Sequence, residues 1–399
     1  MSTPTLDKDD PVPPASVPPT PPAPPKNRGP LIVARDFGRG QIGFLVAALC
    51  LLFLAPALLS DFRLDLLAKF VCFAIIAIGV DIAWGYGGML VLGQGVFFGL
   101  GGYAMAMHLK LVEAKEYNMA VPDFMSWSGV ETLPAIWKPF EHGWFALGAT
   151  LIVPMVVAFA LGSLVFRRRV RGAYFAILTQ ALAAAFVILL VGQQGLTGGT
   201  NGLTNITTFF GMDLNDPDSV TTLYIIATVA LGVTYLLARQ LVTSRYGRVL
   251  IAVRDGEDRV RFLGYNPATI KTIAFTISAG MAGLAGALFV PIVGIISPAM
   301  LGIVPSIEMV IWVALGGRAT LVGAVVGALL VNYGKTGLSE QFPGAWSYFL
   351  GFLFIIVIAF VPSGIAGGLR SMRKRLAEIR AEQKERGKAA AGFADTRFE

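Results

Sequence analysis

The sequence predicts an all-α fold, a polytopic transmembrane helix bundle of about ten helices, two of them short or discontinuous. Three observations carry this. The chain is 55% hydrophobic and 14% charged over 399 residues, with a mean hydropathy of +0.67, a balance foreign to water-soluble domains. Its apolar residues gather into uncharged runs of about 20, the length a helix needs to cross the hydrocarbon core. Its Lys and Arg collect in alternate connections, as short basic loops do when they are held on one side of a membrane.

The elements follow in order. Residues 1–39 include a Pro-rich run from Asp10 to Pro25, which is extended or disordered by composition and lacks the apolar core of a secretory signal. This segment reads as a cytoplasmic leader. Residues 40–369 form the membrane domain, with uncharged runs at Gln41 to Ser60, Ile82 to Leu109, Gly143 to Phe166, Gly172 to Gly192, Ser219 to Ala238, Thr272 to Ile307 and Ala345 to Leu369. Leu66 to Trp84 adds a run interrupted by Lys69 and Asp81. The stretch from Ser306 to Tyr333 must begin and end on one side, and Gly316-Gly317-Arg318 divides it into two pieces, each shorter than a span. It reads as two short helices dipping to a tip near Arg318, tolerated where such a break is buried or lines a cavity. A Gly-rich counterpart, Gly85 to Gly102, hints at an internal repeat. Residues 370–399 form a basic cytoplasmic tail.

Basic residues set the orientation. Arg35 and Arg39, Arg167 to Arg171, seven Lys and Arg from Arg239 to Lys271, and Arg370 to Lys388 all belong inside by the positive-inside rule, which makes both termini cytoplasmic. The outer segments are then Glu113 to His142, Gly195 to Asp218, Ser297 to Pro305 and Gly334 to Gly344, with Arg63, Lys69, Lys110, Lys115, Lys138 and Lys335 outside or near the outer interface.

The stretch between Leu241 and Lys271 is too long and patterned for a simple connector. Read as a helix, Val249, Val253, Gly256, Val260 and Leu263 recur at steps of four and three, while Arg254, Asp255, Glu257, Asp258 and Arg261 fall mostly elsewhere. One side can lie on the membrane domain and the other can face a soluble partner. A polytopic chain with such an element is most simply a membrane subunit driven from outside the membrane.

Other motifs divide into those that carry chemistry and those that do not. Gly93-Gln-Gly-Val-Phe-Phe-Gly99 is one residue too long for a dinucleotide fingerprint and lies in a membrane setting. Gly93 and Gly95 either let a helix unwind beside a permeating solute or serve close packing, with Gln94 as the strong hydrogen-bonding side chain of the run. Gly334-Lys-Thr336 lacks the leading glycine of a phosphate loop, since Leu329 stands there, so the chain itself should not bind ATP. Asp81 and Glu308 are ionisable residues within spans, where burial costs about 2.5 to 3.5 kcal/mol, and each is a pathway candidate together with Gly316 and Gly317. His108 and His142 have no metal-spaced companions and no nucleophile elbow nearby, so no catalytic or metal site and no cofactor is expected. Cys50 and Cys72 fall in spans as small apolar residues. Thr197, Gly198, Gly199 and Asn201 form a turn-rich outer loop, either a plain turn or a contact for a solute-delivering protein.

Taken together, Asp81 to Gly99, Arg171-Gly-Ala-Tyr-Phe-Ala-Ile-Leu-Thr179, Leu196-Thr-Gly-Gly-Thr-Asn-Gly202, and Gly247 to Gly264 followed by Lys271 resemble the membrane permeases of branched-chain amino-acid ABC importers, over roughly residues 40 to 370. The outer insert, Val121-Pro-Asp-Phe-Met-Ser-Trp127 and Leu133-Pro-Ala-Ile-Trp-Lys-Pro-Phe140, is similar to that of the urea transporter's second permease subunit. The resemblance implies a bacterial inner-membrane complex with a second, related permease, two cytoplasmic ATPase subunits and a periplasmic solute-binding protein. It marks Gly247 to Gly264 as the counterpart of the coupling loop, with Arg254, Asp255, Glu257, Asp258, Arg259, Arg261 and Gly264 as its candidate residues. The family's Glu-Ala-Ala pattern stands here as Glu257-Asp-Arg, and Gly264 sits one step late. The expected function is solute translocation in an ATP-driven importer, most simply of urea. The alternatives are a branched-chain amino-acid or short-amide permease, a secondary transporter and a passive urea channel. A nucleic-acid partner is not expected, and the chain is not an enzyme by itself.

Overall fold

The computed structural model describes residues 48–170 and 172–342 and a few isolated positions beyond them. The Pro-rich leader, most of the run from Ala345 to Leu369 and the basic tail lie outside the described residues. The chain divides into Met1–Leu45 and Val46–Glu399, and the second of these units is a helix bundle.

In order, its helices are α1 (Ala48–Leu58), α2 (Asp61–Val80), α3 (Gln94–Glu116), α4 (Asp123–Trp127), α5 (Gly143–Arg167), α6 (Ala173–Gly192), α7 (Gln194–Thr197), α8 (Pro217–Thr243), α9 (Arg245–Phe262), α10 (Pro267–Val293), α11 (Ile303–Gly316) and α12 (Leu321–Gln341). Local chemistry sets several boundaries. At α10 the Asn266 side chain caps the first turn by accepting from the Ala268 N–H at 3.1 Å, Pro267 takes the first position, and Gly294 ends the helix in the left-handed region at φ 73°. Ser244 caps α9 by accepting from the Gly247 N–H at 3.3 Å.

Among the described residues seven helices are long and apolar enough to cross a membrane, with α1 and α11 as shorter apolar helices. The core is α2, α3 and α10, and α5 packs on it. In α3 89% of the apolar window is buried inside the protein and in α6 only 22%, so α3 is a central helix and α6 presents most of its surface to lipid or to another chain. Small residues let the central helices approach: Gly101 and Gly102 of α3 lie against Gly283 and Gly286 of α10.

The structure changes several expectations. The run from Ile82 to Leu109 is not one span: α2 continues through a π-helical turn, Asp81–Tyr86, the chain then unwinds, and α3 begins at Gln94. The run from Thr272 to Ile307 ends as a helix at Val293. Of the pair expected to be short, α11 has 14 residues but α12 has 21, about 31 Å at 1.5 Å per residue and enough to cross. The stretch Gly334-Lys-Thr336 lies inside that helix and forms no loop. The expected all-α fold class holds: a two-residue antiparallel ribbon, Thr208–Phe209 with Met212–Asp213, is a minor addition to an otherwise helical bundle.

Candidate functional site

At one end of the bundle four elements converge: the π turn, the unwound segment 87–93, the connection between α11 and α12, and α9. Asp81 is fully buried. Its Oδ1 accepts from the backbone N–H of Ala319 at 2.7 Å, joining residues 238 apart in sequence. That reach passes directly over Gly85, where a Cβ would stand 2.0 Å from Asp81 Oδ1 and 2.4 Å from the Ala319 nitrogen. Only glycine fits between the two halves. Arg318 sets its guanidinium 4.4 Å from the Trp84 ring centroid, a cation–π contact.

Arg254 brings α9 to the same place. Its Nη1 donates to the Gly85 carbonyl at 2.6 Å and its Nε to Asp255 Oδ1 at 2.8 Å, so this charge is bonded to the bundle while the residue stays exposed. The Arg254 hydrogen bond holds the Asp255 carboxyl below its ordinary range. Gly88, in the left-handed region at φ 71°, admits the side chain: a Cβ there would stand 2.8 Å from Arg254 Cγ. Helix α9 is therefore joined to the first chain break through Arg254, and that break to the α11–α12 connection through Asp81.

Helix α9 bends at Gly256 (φ −170°, ψ 75°). Before the bend Gly247, Leu250 and Val253 are buried, and after it Val260 is. Leu263, expected on the membrane-facing side, is 75% exposed, next to Phe262 at 92%. Glu257 also turns inward, its carboxylate 2.6 Å from Lys271 and 3.3 Å from Arg261. Asp258 bridges to Arg261 at 3.4 Å, and Arg259 and Gly264 are exposed. The outward face of this end is thus Asp255, Asp258, Arg259, Phe262 and Leu263. The stripe finds Val260 beyond the bend, whereas Leu263 stands past the last helical residue, Phe262, and turns outward with it.

The glycines of the first break meet protein. Gly93 lies against the backbone of Thr179, whose Oγ1 accepts from the Leu92 N–H at 3.1 Å. Gln94 Nε2 donates to the Ser278 carbonyl and hydroxyl, both at 3.0 Å, and the Gly95 N–H donates to Ser306 Oγ at 3.1 Å. In the second break Gly316 packs on Gly323 of α12, and Gly317 ends α11 at φ 118°.

Glu308 lies elsewhere. Its carboxylate meets Lys335 of α12 at 3.0 and 2.8 Å. Both line a cavity of about 500 Å³ that also takes in Lys69, Asn332, Phe73 and Trp312. Lys69 is 12 residues before Asp81 on the same helix, about 18 Å along it. The cavity is therefore well separated from the joint.

At the opposite end from α9 the insert between α3 and α5 is folded onto α3. Lys110, 3% exposed, is held by Glu113 at 2.9 Å, Asp123 at 3.5 Å and the Asn205 carbonyl at 3.0 Å. His108 Nδ1 lies 2.8 Å from the Phe140 carbonyl, which gives that histidine a structural partner. The Trp137 Nε1–H donates to the Leu196 carbonyl at 3.1 Å. Thr197 turns its hydroxyl onto Gln193, and Gly198 and Gly199 take left-handed backbone around the turn. Asn201 is exposed beside Asp123 and Trp127 on a small cleft. Among the described residues no group of three His, Cys, Asp or Glu is placed to hold a metal ion.

The bundle, its two chain breaks and the element docked on them define a polytopic membrane protein of the transport class. The sequence profile of the family described as branched-chain amino acid transport system / permease component matches residues 62–359, and the chain belongs to that family. It is similar to the high-affinity branched-chain amino acid transport system permease protein LivM of Escherichia coli (strain K12), 27% identical over 344 residues covering 81% of this chain and 74% of LivM. It is also similar to the LivH permease protein of the same system and strain, at 25% over 308 residues covering 74% of this chain and 91% of LivH. A third relative is the autoinducer 2 import system permease protein LsrC of Photorhabdus laumondii, at 26% over 53% of this chain and 63% of LsrC. No solved structure matches the chain.

Proposed function

We propose that this chain is one of two permease subunits of an ATP-driven importer in a bacterial inner membrane, translocating urea delivered by a periplasmic binding protein. The observation that carries the importer reading is the joint. Helix α9 ends in exposed Phe262 and Leu263 and is fastened through Arg254 to Gly85, so a push on α9 reaches both chain breaks. The basic loops favour a cytoplasmic α9 end by the positive-inside rule, and there Phe262, Leu263, Asp258 and Arg259 would dock an ATPase subunit. The insert and the loop around Asn201 would then face the binding protein. That LivM and LivH are two permease proteins of one system supports a second permease as partner.

Urea is supported by the insert at 121–140 and its likeness to the urea transporter's subunit. A second reading, branched-chain amino-acid import, is favoured by the names of LivM and LivH. Uptake of labelled urea and of leucine in a strain lacking this subunit, with and without the chain restored, separates the two. For docking, changing Phe262 and Leu263 together to Asp places charge in an apolar contact without touching the Glu257–Lys271 pair. The ATPase subunits should then fail to co-purify while the chain still inserts. Wild-type ATPase stoichiometry and uptake in that variant would remove α9 as the docking element.

A further inference from the structure

The cavity between α2, α11 and α12 is lined by charge, the paired Glu308 and Lys335 together with Lys69. Lys69 stands eight residues into α2 from Asp61, about 12 Å along the helix, in a span where an ammonium group is costly. Among the described residues it makes no ion pair within 4.0 Å, and its Nζ lies 6.0 Å from the Phe289 ring centroid. A lysine near a span end ordinarily extends to the interface. This one lines a half-open cavity of about 500 Å³, within the size range of small-molecule sites.

The cavity has two faces. Glu308, Asn332 and Lys335 give it a polar side with Lys69, and Phe73, Phe289 and Trp312 an aromatic one, with Phe73 stacked on Trp312 at 4.9 Å. Glu308 is bonded to Lys335 through both oxygens, yet each carboxylate oxygen can accept more than one hydrogen bond. Of the charged residues lining the space, Lys69 and Lys335 balance Glu308 and Glu340, so a solute with net charge meets no net attraction there.

We propose that this cavity is a solute-binding site on the translocation pathway. In it Lys69 donates to an oxygen of the solute, Glu308 accepts its N–H groups, and the aromatic face covers its flat or apolar side. The class it fits is a small solute of zero net charge bearing a carbonyl or carboxylate oxygen beside N–H donors, the chemistry shared by urea, simple amides and α-amino acids. This rests on the importer reading and deepens it.

The test uses the complete complex in proteoliposomes with labelled urea, acetamide and leucine. For whichever of these the wild-type complex takes up, Lys69→Ala should raise the half-saturating concentration about tenfold, the effect of one lost charge-assisted hydrogen bond. Lys69→Arg should restore part of it, and Glu308→Gln should raise it as well. Co-purification of the ATPase subunits checks that each variant assembles. If the wild-type complex moves its solute and Lys69→Ala and Glu308→Gln leave half-saturation unchanged, the site is wrong and the importer stands. If the wild-type complex moves none of the three, the importer reading for these solutes falls, and the site with it.

Discussion

Two clusters of charge are built on this bundle, about 18 Å apart along α2, the first from buried Asp81 with exposed Arg254 and Arg318, and they are used in opposite ways. At the α9 end Asp81, Arg254 and Arg318 each terminate on a fixed group: the Ala319 N–H, the Gly85 carbonyl and the Trp84 ring. Around the cavity, Lys69 forms no ion pair among the described residues, and Glu308 and Lys335 meet each other beside open space. Charge committed to backbone groups fixes the shape of a chain break, because a buried N–H or C=O left without a partner is costly. Charge left facing a cavity is available to a solute. On the proposed reading the first cluster is a mechanical joint and the second a binding surface.

Breaking the first cluster should have the larger effects. Gly85→Val drives a side chain into both Asp81 and Ala319 and should abolish uptake while lowering the complex's thermal unfolding temperature. A functional Gly85→Val protein would show that the two breaks need not touch. Asp81→Ala is milder: it leaves the Ala319 N–H without its acceptor, a loss of about 1 to 3 kcal/mol. Uptake should fall more in this variant than in Asp81→Asn, whose side-chain oxygen can still accept. Equal uptake by the two would show that the carboxylate's charge, and not its hydrogen bond, matters at this position. Smallest is Trp84→Leu, which removes a cation–π contact worth about 0.5 to 2 kcal/mol. It should shift unfolding slightly and leave transport measurable, and a loss as complete as that of Gly85→Val would assign Trp84 a larger part than the joint gives it.

The membrane spans are legible in the sequence because water and lipid impose them on composition directly. Features that the sequence hides come from partners distant along the chain. The length of α12 is hidden by Lys335, which looks like the end of an apolar run until Glu308, 27 residues earlier, neutralises it. The α9 stripe holds at Val253 and again at Val260 beyond the bend, and fails at Leu263, which stands just past the end of the helix. Asp81 and the glycine cluster stand out as oddities. Their purpose does not, since Asp81 is satisfied by a backbone N–H 238 residues away, and a backbone donor leaves no residue type to read. Lys69 reads as an interface residue because no sequence pattern distinguishes a lysine that reaches water from one that lines a cavity.

If Arg254 carries motion of α9 into the two chain breaks, cutting that one link should uncouple transport from ATP hydrolysis. The most direct measurement is the ratio of solute moved to ATP hydrolysed in the purified, reconstituted complex bearing Arg254→Ala. That change removes the 2.6 Å bond to the Gly85 carbonyl and leaves the exposed Phe262 and Leu263 in place. The ATPase subunits should remain bound while the ratio falls at least about tenfold, as expected when a charge-assisted hydrogen bond in the coupling path is lost. A wild-type ratio in that variant would contradict the coupling role of Arg254.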